Sequence, residues 1–449
     1  MANRRRTVAV TATWFRYRWL VALAVAIAAL TAVQVSALWK APSEMTPAIT
    51  GGGLWSDAEK IADKIERRLH HNPADLEASL LQALLHFREG NLPRALSLLE
   101  QLTRRAPNFH LAHLVRGDLL LAQFRPLTGI GNNGVMNGLG LTTSEPVDRL
   151  REEAQARLQG YLALLDSTQV PSVLINLAGE VTSAVVIDKS RNRLYLFENP
   201  GSDRPPRLLG DYYSVFGKAP GNKQERGDMR TPEGVYFVVG HIPGEKLPNR
   251  YGTQAFPLNY PNEFDLRFGK TGSGIWVHGT DRDYYSRPPQ DSDGCVVLTN
   301  DDLQTLGGYL HPGVTPVIIA DHLEWVSPTE WRSRREELVT AVEGWRRDWE
   351  TDIDRFLTHY STDFLAPGSD LADWRRRKLQ LARGQENRQV NLQRLSLYGY
   401  PTAASSSRTL VVADFHQSYR AGNFSSEMDK RLYLVQENRS WRVWYEGGR

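Results

Sequence analysis

The chain reads as multidomain: an N-terminal membrane-spanning helix, an all-α repeat region, a mostly-β sandwich-type domain and an α+β domain at the C-terminus. Three observations predict this. An almost uncharged apolar run occupies Trp19 to Trp39. A spacing of 34 residues recurs among proline, alanine and leucine positions in the first third. Beyond residue 179 short aromatic and β-branched runs alternate with glycine and proline, the pattern of strands and turns. The 449 residues suffice for roughly two to four domains. With 41% hydrophobic and 23% charged residues there is ample material for cores. A net charge of +3 is too mild to point to nucleic acid, so no such partner is expected.

The first element is residues 1–40. Arg4, Arg5, Arg6, Arg16 and Arg18 precede the apolar run, which is long enough to cross a bilayer as a helix. The basic flank belongs on the cytoplasmic side. Val35-Ser36-Ala37 would also serve as a signal-peptide cleavage site, but the run is long for that, so an uncleaved anchor is expected. Either way the remainder is exported. With one cysteine it is not built on disulfides. Residues 41–56 form a linker rich in Pro, Thr and Gly.

Residues 57–167 read as helical. Pro73 repeats at Pro107, Ala78 at Ala112, Leu80 at Leu114 and Leu85 at Leu119, which is the tetratricopeptide period. Two units are few, and a helix from Glu145 to Leu165 would cap them. Such repeats offer a concave face to a protein partner, or serve as a spacer or dimerisation block. The stretch Gly129–Gly140 lacks both a preceding strand and the Lys-Ser/Thr ending of a phosphate loop, so it reads as a plain loop. From residue 179 to 321 the runs SAVVIDKS, RLYLFEN, DYYSVFG, GVYFVVGHI, GIWVHG, CVVL and VTPVIIA make a β-rich domain, with a helix near Asn300–Tyr309. Residues 331–449 begin with an amphipathic helix, Trp331 to Leu357. Strands follow at Leu392–Tyr400 and Thr409–Tyr419, then a hairpin over Arg431–Tyr445 turning at Glu437–Ser440.

Chemistry concentrates in the β-rich stretch. Cys295, the only cysteine, stands in Ser292-Asp293-Gly294-Cys295, and His278 lies seventeen residues upstream. A lone cysteine is a buried small hydrophobe, an intermolecular link or a nucleophile. An ordinary thiol titrates near pH 8.5, and a nearby imidazole can draw that below about 7. Cys295 is therefore the candidate nucleophile and His278 the candidate general base and acid. The Gly279 carbonyl is placed by sequence to orient the imidazole, with Asp281 and Asp293 as side-chain rivals. The amides of Gly294 and Cys295 are candidate oxyanion donors. Glycine at 294 would let the backbone approach substrate without a Cβ in the way. One Cys and one His fall short of a zinc site, so no metal and no cofactor are expected.

On these residues the middle domain resembles the L,D-transpeptidase (YkuD) catalytic-domain family, whose signature is His, then a dozen or more residues, then Ser/Thr-X-Gly-Cys. Gly217-Lys218, the run Gly227–Gly234 and Phe256-Pro257-Leu258-Asn259-Tyr260 support the resemblance. It implies a β-sandwich-like domain acting on peptidoglycan stem peptides, and hence an inner-membrane protein with its catalytic region in the periplasm. It implies that Cys295 attacks the L-centre carbonyl of diaminopimelate. D-alanine then leaves, protonated by His278, and a thioester remains. An acceptor amine would resolve it to a 3-3 cross-link, and water to a shortened peptide. Two departures stand out. The family's usual histidine before Gly-Cys is Asp293, and Val296-Val297-Leu298 replace the Arg or Asn that follows in many members. Arg287, Arg282 or Arg230 would then hold a substrate carboxylate, since guanidinium suits it bidentately. Ser292, Asp293 and Tyr260 are the further substrate-binding candidates.

The C-terminal region resembles the nuclear transport factor 2-like fold, in which a curved sheet and helices make a cone-shaped pocket. The residues that carry this are the Trp345 and Trp349 helix, Phe364, Trp374–Lys378, the strand with His416, and the closing Trp441–Trp444 hairpin. His416 reads as a strand or pocket-lining residue. The same domain pairing occurs in cell-shape L,D-carboxypeptidases. The leading expectation is an L,D-transpeptidase forming 3-3 cross-links. The alternatives are an L,D-carboxypeptidase that trims tetrapeptide to tripeptide, an amidase releasing protein from diaminopimelate, and a non-catalytic periplasmic scaffold.

Overall fold

The structure is a computed structural model. It describes residues 58–163 apart from 125–126, 128–129 and 131–144, and residues 168–448 apart from 202, 367, 384–386 and 402–408. The predicted span at Trp19–Trp39, the linker and most of the Gly/Asn stretch lie outside these residues. No described helix is long and apolar enough to cross a membrane.

Among the described residues, five helices form the first domain: α1 (Ala58–His71), α2 (Leu76–Arg88), α3 (Leu92–Arg105), α4 (His110–Leu121) and α5 (Glu145–Ala163). The starts of α2 and α4 are 34 residues apart (76 to 110). Asp75 caps α2 by accepting the Ala78 amide at 2.8 Å, and Asn91 caps α3. The apolar faces meet at Ile61, Leu80, Leu84, Leu99, Leu102 and Phe109.

The chain then makes β1 (Val170–Pro171) and β2 (Leu174–Asn176), two short strands in a stretch for which the sequence predicts nothing. The predicted hairpin follows as β3 (Ser183–Asp188) and β4 (Arg193–Glu198), then β5 (Arg207–Tyr213), β6 (Phe216–Gly217), β7 (Gly234–Phe237), β8 (Ile242–Pro243) and β9 (Gln254–Pro257). After α6 (Glu263–Arg267) come β10 (Trp276–His278), β11 (Gln290–Ser292), β12 (Val296–Val297), α7 (Asn300–Gly307) and β13 (Pro316–Ala320). Five strands pair in the order β5-β4-β3-β13-β7, and four in the order β12-β10-β9-β8. Alternate residues of β3 face opposite ways. Val185 and Ile187 pack with Phe256, Val277 and Val296 of the second sheet, while Ala184 and Val186 pack toward the C-terminal domain. Both faces are covered, so every residue of β3 is buried.

β14 (Trp325–Val326) pairs with β1. The predicted long helix is two, α8 (Pro328–Thr351) and α9 (Ile353–Thr358). Asp352 breaks it: its extended backbone ends α8 and its side chain caps α9 through the Arg355 amide. β15 (Tyr360–Leu365), α10 (Leu371–Arg383), β16 (Gln389–Gly399), β17 (Leu410–Ala421), β18 (Phe424–Glu437) and β19 (Ser440–Gly448) complete the chain. The last sheet runs β15-β19-β18-β17-β16, and β2 adds itself at the β16 edge. The closing hairpin turns on Asn438 and Arg439, both at positive φ (48° and 65°), as a two-residue turn between twisted strands requires. His416 lies on β17 with Nδ1 2.9 Å from Asp429. The sheet and α8–α10 enclose Trp345, Trp349, Phe356, Tyr360 and Phe364.

Candidate active site

β10 and β12 are parallel neighbours, with Val277 beside Val296 and His278 beside Val297. Carried one residue back, that register sets Cys295 beside Trp276. Residues 276 and 278 share one strand face, and the paired positions of a parallel neighbour point the same way. The fold thus brings together a histidine and a cysteine seventeen residues apart. The Leu298 amide, donating 3.0 Å to the His278 carbonyl, fixes the alignment.

His278 is 3% exposed. Its Nδ1 lies 2.6 Å from the Gly279 carbonyl oxygen. A carbonyl only accepts, so Nδ1 carries the proton, and Nε2 of the neutral ring keeps its lone pair. Tyr251 stands edge-on to the ring at 4.9 Å, and its own carbonyl accepts the Gly279 amide at 3.1 Å. Burial pushes the imidazole down to about 4, against the pull of the Gly279 hydrogen bond and with help from Arg287 and Arg250. The half-buried Cys295 thiol is 3.5 Å from the Gly274 carbonyl. Burial pushes this thiol up, and a Trp276 backbone hydrogen bond opposes the rise. Desolvation thus disfavours the charged form of both groups.

The nucleophile turn is tied internally. Ser292 Oγ donates to the Cys295 carbonyl at 2.7 Å and accepts the Gly294 amide at 3.1 Å. Ser292 therefore holds the turn instead of facing substrate. The Gly294 amide is committed as well, and of the two expected oxyanion donors the Cys295 amide remains. Gly294 has φ +123°, and a Cβ there would come 2.7 Å from the Arg230 carbonyl oxygen. What the glycine lets close is the protein's own backbone. At Gly279 a Cβ would meet Asn300 Oδ1 at 2.1 Å.

The other candidates separate. Asp281 accepts from Asn249 Nδ2 at 2.7 Å, and exposed Asp293 pairs with Lys218 at 2.9 Å. Arg287 donates through Nε to Thr280 Oγ1 at 2.9 Å and through a terminal nitrogen to the Arg250 carbonyl at 2.7 Å. Its charge reaches both His278 and Cys295. Arg282 is turned to the Gly244 carbonyl at 3.0 Å. Arg230 is half-buried, and its Nε has no partner among the described residues. Tyr260 is a correction: it is 4% exposed, belongs to the sandwich core, and donates to the Thr271 carbonyl at 3.2 Å. Sequence reading passed over Tyr251 and Arg250, which sit in a short 3-10 turn with no periodic signal. Among the described residues no three His, Cys, Asp or Glu side chains cluster as metal ligands would.

Residues 182–319 match the L,D-transpeptidase catalytic domain family, YkuD, and residues 337–447 match the Cds6 C-terminal NTF2-like domain. The solved structure of Bdellovibrio bacteriovorus Bd1075 is 30% identical, with a TM-score of 0.54, over 62% of this chain and 98% of its own. The helical cell shape determining protein Pgp2 from Campylobacter jejuni is 21% identical, with a TM-score of 0.51, over 63% of this chain and 95% of its own, and shares the fold. No curated protein matches. The chain belongs to the L,D-transpeptidase (YkuD) catalytic-domain family. Its catalytic domain is joined to an NTF2-like domain of the Cds6 type.

Proposed function

We propose that this protein is a peptidoglycan-modifying cysteine acyltransferase that takes stem tetrapeptides as acyl donors and forms 3-3 cross-links. One observation carries the reading: Nδ1 of His278 is tied to the Gly279 carbonyl at 2.6 Å, which leaves Nε2 as a base on the strand face shared with Cys295. As Cys295 Sγ bonds to the L-centre carbonyl of diaminopimelate, its proton passes to Nε2. The Cys295 amide meets the oxyanion. The C–N bond to D-alanine breaks, and the amine leaves with the His278 proton. The thioester then passes its acyl group to an acceptor amine, whose proton returns through His278 to sulfur. Arg287, whose charge reaches His278, would hold a substrate carboxylate.

A second reading has a specific support. The chain shares its fold, over 63% of its length, with Pgp2, a helical cell shape determining protein. On that reading water resolves the thioester and the protein is an L,D-carboxypeptidase. In both, the Trp19–Trp39 run is a single-pass anchor and catalysis is periplasmic. The 34-residue helix spacing favours tetratricopeptide-like repeats. Incubation with disaccharide-tetrapeptides, followed by mass spectrometry of the products, tests this. A 3-3 linked dimer supports transpeptidation, and tripeptide alone supports hydrolysis. No conversion, equal to the Cys295→Ala control, rejects both and favours a scaffold.

A further inference from the structure

The helical domain lies outside both family matches, yet it grips the catalytic domain. Part of its hold is on residues 281–291, the stretch that joins the His278 strand to the Cys295 turn. The Tyr285 ring packs on Phe109 at 4.3 Å, and its amide donates to the Asn108 carbonyl at 3.3 Å. Ser286 Oγ donates to Glu153 of α5, and Arg149 of α5 pairs with Asp291. Between α4, α5 and this loop is a cavity of about 680 Å³. Arg149, Arg287 and His110 line it together with Glu145, Glu153 and Asp281.

Three features of this cavity point to a ligand. Its volume falls in the range of about 300–1,000 Å³ typical of small-molecule sites. Its lining carries both signs of charge, as a peptide with an ammonium and carboxylates would need. And it shares a residue with the surroundings of the candidate site: Arg287 lines the cavity, and its Nε bonds to Thr280, two residues from His278.

We propose that this cavity holds the second, amine-bearing stem peptide, so that the helical domain forms one wall of the acceptor channel. This rests on the transpeptidase reading of the site. The acceptor's neutral side-chain amine would enter past Glu145 and Arg287 and attack the thioester. A C–N bond forms, the C–S bond breaks, and the amine proton passes to the sulfur. The repeats then act within the chain, on its own active site. The protein-partner role expected from their concave face is not needed to explain them.

The test uses the full chain carrying Cys295→Ala, titrated with a fluorescent stem tripeptide bearing diaminopimelate. Glu145→Lys, at an exposed position, and Arg149→Glu are each added. The expected result is a Kd at least tenfold weaker in both. Unchanged binding in both overturns the proposal, as does no binding by the Cys295→Ala chain itself. In parallel, the unmodified chain is incubated with tetrapeptide and examined for a thioester adduct on Cys295. Absence of the adduct with cavity-dependent tripeptide binding would sink the reaction and leave the peptide site standing. An adduct with cavity-independent binding would do the reverse.

Discussion

The catalytic domain has two neighbours, and it meets them by opposite physics. Toward the helical domain it offers Arg193, at 0% exposure, which bonds to Glu77 Oε2 at 2.9 Å. Glu77 also takes Arg157 at 2.9 Å and Arg68 at 3.3 Å, while Lys64 pairs with Asp211 at 3.0 Å. Toward the C-terminal domain it offers the outer face of the five-stranded sheet, where Val186, Phe197, Phe237 and Ile318 meet Tyr398, Val412, Tyr433 and Val435. An apolar contact tolerates small shifts because it is nondirectional. A buried ion network does not, because its desolvation cost is offset only at close to ideal geometry. The ionic face is the one beside the loop between His278 and Cys295. The difference suggests that the apolar side supplies cohesion and the ionic side supplies alignment.

The largest effect should come from removing what both faces surround. Cys295→Ala should give no thioester adduct and no turnover. His278→Ala should lower turnover by about 10²–10⁴-fold, the usual worth of a general acid–base. Mass spectrometry and product assays read both. Substantial remaining activity in either variant would remove the site, and with it the reason to compare the two faces.

Breaking each face in turn comes next. Glu77→Ala would leave Arg193, Arg157 and Arg68 buried without their shared carboxylate, a change worth about 3–5 kcal/mol in comparable cases. Phe237→Ala, on the apolar face, should cost a similar amount, about 3–5 kcal/mol, through lost burial and a cavity. Urea unfolding compares them. The contrast should then appear in activity measured below the unfolding range. Glu77→Ala should lower it because the loop loses its seat, while Phe237→Ala should leave it nearly intact. Equal losses in both would end the division of labour.

Acid separates the two faces without mutation. The three arginines hold Glu77 far below the ordinary carboxylate range. A carboxylate depressed in the folded state stabilises the fold above its unfolded pKa, about 4.3, and that stability is lost as pH falls below it. The helical domain should therefore loosen below about pH 4 while the apolar face holds, as hydrogen exchange resolved by segment would show. The thiol gives a related reading. With burial raising Cys295 and lowering His278, iodoacetamide should alkylate Cys295 slowly at pH 6 and faster only as pH climbs past the ordinary thiol range. Fast alkylation at pH 6 would instead show the imidazole drawing the thiol down, as the sequence reading expects.

Much of this was legible in the chain. The His278 and Cys295 spacing, the β3–β4 hairpin and the closing turn at 437–440 rest on local patterns, and the structure has them close to where they were read. Other features were not legible, for physical reasons. β2 is three residues, too short for any periodicity, and it is a strand only because the β16 edge is there to pair with it. Arg193 looks like a turn-flanking surface arginine until Glu77, more than a hundred residues earlier, arrives to bury it. Tyr260 read as part of a family motif, whereas its ring packs in the core. The Gly294 amide read as an oxyanion donor, and only the three-dimensional turn reveals that Ser292 has claimed it.

The smallest effect should come from the ion pair that the network most resembles in chemistry and least in setting. Lys218 and Asp293 are 2.9 Å apart, but their side chains are 54% and 70% exposed. Water screens such a pair, and exposed pairs contribute about 0–1 kcal/mol. Asp293→Ala should therefore leave thermal stability almost unchanged. It should also lower turnover only mildly, because the turn is held by Ser292 and the imidazole by the Gly279 carbonyl. A loss as severe as that of His278→Ala would mean that Asp293 moves onto the ring during the reaction. The backbone carbonyl would then hold only the resting state.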